Sequence, residues 1–184
     1  MKNSFIFSLI LVALTMFCAC KKTDTVPVKT QKELISAHVW VGDSITPNVT
    51  TTFPLVTPEI TAALAAASMP RSNKRTALEF KTTNDAIVYA RDTVSSALSN
   101  PQTTPYTIDE VAKKVTFTNV DAFIPAELAT LLAASRISIP KVWDIKTLDD
   151  TRLRLYAEQT QNVAVPNLPL TVPITLKIGL SFKK

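Results

Sequence analysis

The chain predicts a mainly β protein: eight antiparallel strands closed into a barrel, with two short Ala-rich helices. Three observations carry this. Apolar and polar residues alternate with period two in several stretches, which suits half-buried antiparallel strands. Thr, a strand-favouring residue, occurs 25 times in 184 residues. Two Ala/Leu-rich segments instead place apolar residues at helical spacing.

The first strand is expected near residues 38–46. Val39, Val41 and Ile45 share one face there, and Trp40 and Gly42 the other, so alternation leaves the inward face undecided. Thr76–Lys81 and Ala86–Tyr89 flank a turn at Thr83-Asn84-Asp85 and read as a hairpin. Pro105–Ile108 with Lys114–Thr118 form a second. Trp143–Ile145 with Arg152–Tyr156, turning at Leu148-Asp149-Asp150, form a third. In the last strand Ile174, Leu176, Ile178, Leu180 and Phe182 alternate with small or polar residues. That brings the count to eight.

The helices are expected over 58–69 and 125–136, bounded by Pro70 and Pro140. Thr57 as N-cap and Pro58 at the first helical position open the first. Leu128, Leu131 and Leu132 mark the apolar face of the second. The two segments, with the hairpins after them, form a faint internal duplication in which Lys81-Thr82 matches Lys146-Thr147 and Tyr89-Ala90 matches Tyr156-Ala157. Residues 163–173, VAVPNLPLTVP, hold three prolines and no charge. They read as an apolar segment folded on the rim or forming a partner surface, and not as a central strand.

The N-terminus reads as an export signal. Lys2 precedes a run from Phe5 to Phe17 that is apolar apart from Ser8 and Thr15, too short to span a bilayer as a helix. Residues 1–19 are expected to be a lipoprotein signal peptide, 20–33 the lipidated Cys and a flexible tether, and 34–184 a single barrel domain. Lys21, Lys22, Lys29 and Lys32 make the tether basic, which suits an anionic surface or a solvated linker.

Phe17-Cys18-Ala19-Cys20-Lys21-Lys22 resembles the lipobox of bacterial lipoproteins, and Cys-Lys-Lys looks like those of Bacteroidetes. The resemblance implies acylation (palmitate-type chains) at Cys20, which becomes the new N-terminus, and outer-membrane sorting with its facing open. The element order also resembles the lipocalin-like (calycin-like) lipoproteins of Bacteroidetes. It does so through Leu34 to Trp40, Leu78-Glu79-Phe80-Lys81, Tyr106-Thr107-Ile108-Asp109 and Trp143-Asp144-Ile145. It departs from that family at His38, where a Gly is expected, and in the two Ala-rich helices. The family implies an eight-stranded barrel, mostly without assigned activity. Asp24-Thr25-Val26, Asp43-Ser44-Ile45 and Asp92-Thr93-Val94 each resemble the Asp-Ser/Thr-apolar site of Bacteroidetes O-glycosylation, making Thr25, Ser44 and Thr93 candidate acceptors.

Several chemistries are excluded or disfavoured. One His and two Cys leave no Cys/His metal site and no disulfide framework. Two glycines leave no phosphate loop, dinucleotide fingerprint or nucleophile elbow. His38, beside Trp40, reads as structural. Asp149-Asp150, Asp109-Glu110 and Asn84-Asp85 fall at turns where such residues satisfy their own backbone, so a carboxylate-pair hydrolase ranks last. With Lys and Arg dispersed and no interleaved aromatics, nucleic acid is not an expected partner. No enzyme activity and no cofactor are expected. The leading expectation is a membrane-anchored binding or accessory module of the cell envelope. A small apolar ligand would sit in a pocket lined by Trp40, Phe80, Tyr89, Phe117 and Trp143. The competing expectation is a structural or assembly protein with a packed barrel and an envelope protein as partner.

Overall fold

A computed structural model describes residues 28–52, 58–134, 136–164 and 171–184. Thr57 therefore lies outside the described residues, as do the export signal and Cys20.

The strands are β1 (Val39–Thr51), β2 (Arg71–Ser72), β3 (Thr76–Phe80), β4 (Asp85–Arg91), β5 (Leu98–Asp109), β6 (Lys114–Phe117), β7 (Val142–Leu148), β8 (Arg152–Ala164) and β9 (Thr171–Lys183). The helices are α1 (Gln31–Ser36), α2 (Pro58–Ala67) and α3 (Ala126–Ala134), with a 3-10 turn at Asp121–Phe123. Neighbouring strands pair antiparallel in the order β1-β3-β4-β5-β6-β7-β8-β9, and β9 pairs back onto β1. The short β2 continues the row of β3 along β1. The result is a closed eight-stranded antiparallel barrel, consistent with a lipocalin-like fold.

Closure leaves every strand one inward face. On β9 the five alternating residues Ile174 to Phe182 are all buried. In β1 the register against β9 shifts between Gly42 and Ser44. A bulge there moves one residue out of phase, so Trp40 and Gly42 before it and Ile45 and Val49 after it all face inward. One side chain from each apolar set, Trp40 and Ile45, thus serves the core at a different height, which strict alternation cannot express.

The expected duplication has a structural counterpart. Going round the barrel, β1-α2-β3-β4-β5 repeats as β6-α3-β7-β8-β9, four wall strands to each half. Strands four places apart in an antiparallel barrel run in the same direction. Both helices therefore lie at one end, where α2 and α3 touch. Details follow the repeat: the Glu79–Lys81 ion pair of β3 and its turn corresponds to Asp144–Lys146 of β7.

The opposite end is closed by α1, whose residues fall in the expected tether (20–33) and at the start of the expected barrel domain. Thr30 accepts the Glu33 N–H at 3.1 Å, and the Glu33 carboxylate accepts the Thr30 N–H at 2.7 Å. This reciprocal cap opens the helix. The tether thus loses residues 30–33 to a folded helix start. α1 packs on β3 and β7, opposite walls of the barrel, and buries Ile35 beneath it.

The proline-rich stretch also requires a correction. Val163 pairs with Val172 and Asn162 with Pro173, so β8 and β9 run straight through its flanks. These rungs lie beyond the end of β1, whose last pair is Thr51 with Ile174. The Pro173 carbonyl faces the β1 side and takes the Thr51 hydroxyl at 2.7 Å. Its missing N–H therefore costs no ladder bond. Val163 and Val172 pack against the core; Val165, Leu168 and Leu170 lie outside the described residues.

Helix ends are similarly specific. Arg71 donates to the Ala66, Ala67 and Met69 carbonyls that close α2. α3 ends with Arg136 at φ 54°, its N–H on the Ala133 carbonyl and the Ile137 N–H on Leu132. That is a Schellman pattern with arginine where glycine is usual.

Candidate functional site

The barrel interior holds four of the five aromatics expected to line a pocket. Trp40, Phe80, Phe117 and Trp143 all point into it and are at most 1% exposed. Tyr89 does not join them. Ala86 and Val88 of β4 face in, so alternation turns Tyr89 outward. There its hydroxyl donates to Glu79 at 2.8 Å. Strand parity thus separates Tyr89 from the other four expected pocket residues.

Two side chains that sequence reasoning missed fill the space between the aromatics. Phe123, from the 3-10 turn after β6, lies 4.5 Å from Phe117 in ring centroids. Phe117 and Phe80 are 6.0 Å apart, and Tyr106 meets Phe80 edge-on at 5.0 Å. Ile35 enters from α1, and its carbonyl takes the Trp40 indole N–H at 2.7 Å. Side chains this fully shielded leave no water-sized space against them. The core is therefore side-chain packed in the manner expected of a small eight-stranded barrel. The Tyr106 hydroxyl reaches the Lys81 carbonyl at 2.9 Å, and burial raises its pKa.

The carboxylates do not converge. Asp149 accepts from Thr151 and the Arg152 N–H, and those bonds, the Thr151 hydroxyl foremost, hold its carboxyl below the usual value. Asp109 caps the Ala112 N–H, Asp85 takes the Thr83 hydroxyl, Asp150 pairs with Lys29, and Glu110 takes the Lys32 N–H. Each is committed to its own turn or to α1. A general acid needs a raised pKa, opposite to the shift at Asp149. His38 packs edge-on against Trp40 with ring centroids 5.7 Å apart, just before β1. Among the described residues no group of three or more His, Cys, Asp or Glu is placed to hold a metal.

On the outer wall, two acid–lysine–tyrosine clusters sit in the two halves of the barrel. Lys81 and then Tyr89 hold the Glu79 carboxyl low by hydrogen bonding, while the same bond raises Tyr89. In the second half, Tyr156 donates to Glu158 at 2.8 Å and Lys177 pairs with it at 3.3 Å. Tyr156 also stacks under Lys146, 5.2 Å from the ring centroid. Both tyrosines are shifted away from the phenolate, so neither is poised as a nucleophile or base.

The surface also carries a concavity at the α3 end. A groove of about 650 Å³ lies between α3 and the segments on either side of it, lined by Val120, Leu132, Ile137 and Ile139, with Asp121 and Lys141 supplying charge. Leu131 of α3 is 37% exposed, turned away from the buried Leu128 and Leu132. Of the modification candidates, Thr93 is exposed in the β4–β5 turn, whereas Ser44 lies within β1 and is paired to Ser72 and Ser181. Thr25 lies outside the described residues.

Fold and surface together define a filled, end-capped β-barrel. No protein-family model matches the chain, and no curated protein matches it.

Proposed function

We propose that this chain is a lipid-anchored protein of the bacterial cell envelope, exported by residues 1–19 and acylated at Cys20. On this reading it sits at the outer membrane and acts as a structural or accessory partner through its outer surface. The anchor rests on the Ala19-Cys20 junction behind a short apolar run and on the lipobox resemblance to Bacteroidetes lipoproteins. One acyl chain binds a bilayer marginally, whereas two or more hold it stably. The observation that carries the choice of surface over interior is the shielding of Trp40, Phe80, Phe117 and Trp143. A ligand in the barrel would have to displace Phe123 or Ile35. Glycans at Thr25, Ser44 or Thr93 belong to the same envelope reading.

Two measurements test it. Cys20→Ala should release the protein from the membrane fraction and abolish acyl labelling; a variant that still sediments with its label overturns the anchor. An apolar reporter dye should show no saturable binding to the soluble domain. Saturable binding, competed by a fatty acid, would instead favour a ligand-binding module with its site inside the barrel.

A further inference from the structure

The barrel has two unlike ends, and the chain enters at one of them. Residues from Lys29 to Lys32 bond to all three hairpin turns of that end. Lys29 pairs with Asp150 of the β7–β8 turn at 3.2 Å. The Lys32 ammonium donates to Asn84 of the β3–β4 turn at 2.8 Å. In the β5–β6 turn, Glu110 takes the Lys32 N–H, and its carbonyl takes the Gln31 amide. Lys29 and Lys32, expected in a free basic tether, are thus spent on the domain itself.

Resting on the Cys20 anchor, we infer that this α1 end is the membrane-apposed face and that its partner is the lipid headgroup surface. With Lys29 fixed, only residues 21–28 separate Cys20 from the domain. From Cys20 to Lys29 the chain takes nine residue steps, about 31 Å even fully extended. β8 and β9 are 13 residues long, and at about 3.3 Å per residue and a tilt of about 40° they span roughly 33 Å along the barrel axis. Even fully stretched the tether does not exceed the length of the barrel, so it holds the α1 end nearer the bilayer than the α2/α3 end.

The chemistry of the two ends agrees. At the α1 end Val111 is 97% and Val28 95% exposed, and the bonds of Gln31 and Lys32 to Glu110 place both at one corner. Asp109 and Glu110 precede Val111 in the same hairpin and are engaged by the Ala112 N–H and by Gln31 and Lys32, while Lys113 and Lys114 follow it. An apolar tip beside two lysines suits an interface of acyl chain and anionic headgroup. At the far end the β4–β5 turn exposes Val94, and from Asp92 to Ala97 it holds one charge, an acid. The groove beside α3 then faces away from the lipid.

The sequence makes the test clean. Its two cysteines are Cys18, inside the export signal, and Cys20, blocked by acylation. Val111→Cys and Val94→Cys each place one free thiol on an exposed tip. The full acylated chain carrying an environment-sensitive fluorophore at either site would be reconstituted into anionic phosphatidylglycerol/phosphatidylethanolamine vesicles with a headgroup quencher. The label at 111 should lose intensity and shift to the blue, and the label at 94 should do neither. Equal quenching on an acylated, vesicle-bound chain overturns the orientation alone. A chain that carries no acyl group and does not float with vesicles overturns the anchor and the orientation with it.

Discussion

The indole N–H of Trp40 donates to the Ile35 carbonyl at 2.7 Å, with both residues fully buried. This bond ties α1 to β1 and seals the end of the barrel. Trp40→Phe leaves the Ile35 carbonyl unpaired, and an orphaned buried group costs about 1–3 kcal/mol. Trp143 is equally buried, but its indole nitrogen has no partner among the described residues. Trp143→Phe therefore forfeits packing without orphaning an acceptor. Denaturant titration should find Trp40→Phe the more damaging, with faster amide exchange in α1. Equal midpoints would contradict the role given to the bond.

Gly42 exists for a close approach. A Cβ built there would lie 2.2 Å from the backbone oxygen of Asn73, where the row of β2 breaks before β3. Backbone on a barrel wall cannot retreat as a flexible side chain does. Gly42→Ala should cost about 1–3 kcal/mol, the usual range for overpacking, read as a lowered denaturant midpoint with unchanged slope. An unaltered midpoint would mean the wall yields more than its pairing suggests.

Much of this fold was legible because alternation and turn chemistry are local. The five inward residues of β9 and the three hairpins follow from period two and from Asn and Asp at turns. What escaped has physical reasons. The bulge between Gly42 and Ser44 reverses parity in β1, and periodicity carries no mark of it. β5 starts at Leu98, but Asn100 at φ 48° and Pro101 interrupt its alternation where the register against β4 shifts. Phe123 lies in a three-residue turn, too short for any repeat. α1 did have a signal: Thr30 followed three residues later by Glu33 is a capping box. Tyr89 is separated from the interior by the parity of Ala86 and Val88.

The outer-wall cluster predicts an acid-limb effect. Glu79 is held below its usual value of 4.5 by Lys81 and Tyr89. A carboxylate with a depressed folded pKa contributes stability that is present above its unfolded pKa. That stability is lost as pH falls through the folded value. Tyr89→Phe removes one of the two bonds, so the Glu79 midpoint should rise toward 4.5 in a carboxyl NMR titration. The pH dependence of stability below that value should flatten accordingly. An unmoved midpoint would show that Lys81 alone sets it.

Backbone access separates the modification candidates. Thr93 sits in an exposed turn in which the Asp92 carboxylate accepts from the Val94 and Ser95 N–H groups. Ser44 lies in a strand paired on both sides. An enzyme that needs an extended acceptor reaches the first and not the second. Intact mass of the protein from its native envelope should therefore fall by a glycan's mass on Thr93→Ala and by no more than the substituted atom on Ser44→Ala. Loss of a glycan's mass on Ser44→Ala would place glycosylation before folding.

Among the described residues, five non-glycine residues lie in the left-handed region: Asn84, Ser96, Asn100, Lys113 and Arg136. The chain's two glycines are spent elsewhere: Gly42 admits Asn73, and Gly179 admits the Thr46 hydroxyl, which a Cβ would meet at 2.6 Å. Asn tolerates this conformation through its short polar side chain, but Arg136 has no such compensation. It occupies the position after α3 where the chain must turn left-handed so that Ile137 can bond back to Leu132 at 2.8 Å. Both of those side chains are buried, so the turn is fixed by the core. The left-handed conformation costs an L residue about 1–2 kcal/mol. Glycine escapes that cost but has a more flexible unfolded chain, which returns part of the gain. Arg136→Gly should therefore raise stability by about 1 kcal/mol, seen as a higher denaturant midpoint. Arg136→Val, β-branched and unsuited to positive φ, should lower it. If both variants lose stability equally, the arginine side chain and not its backbone is what holds the end of α3.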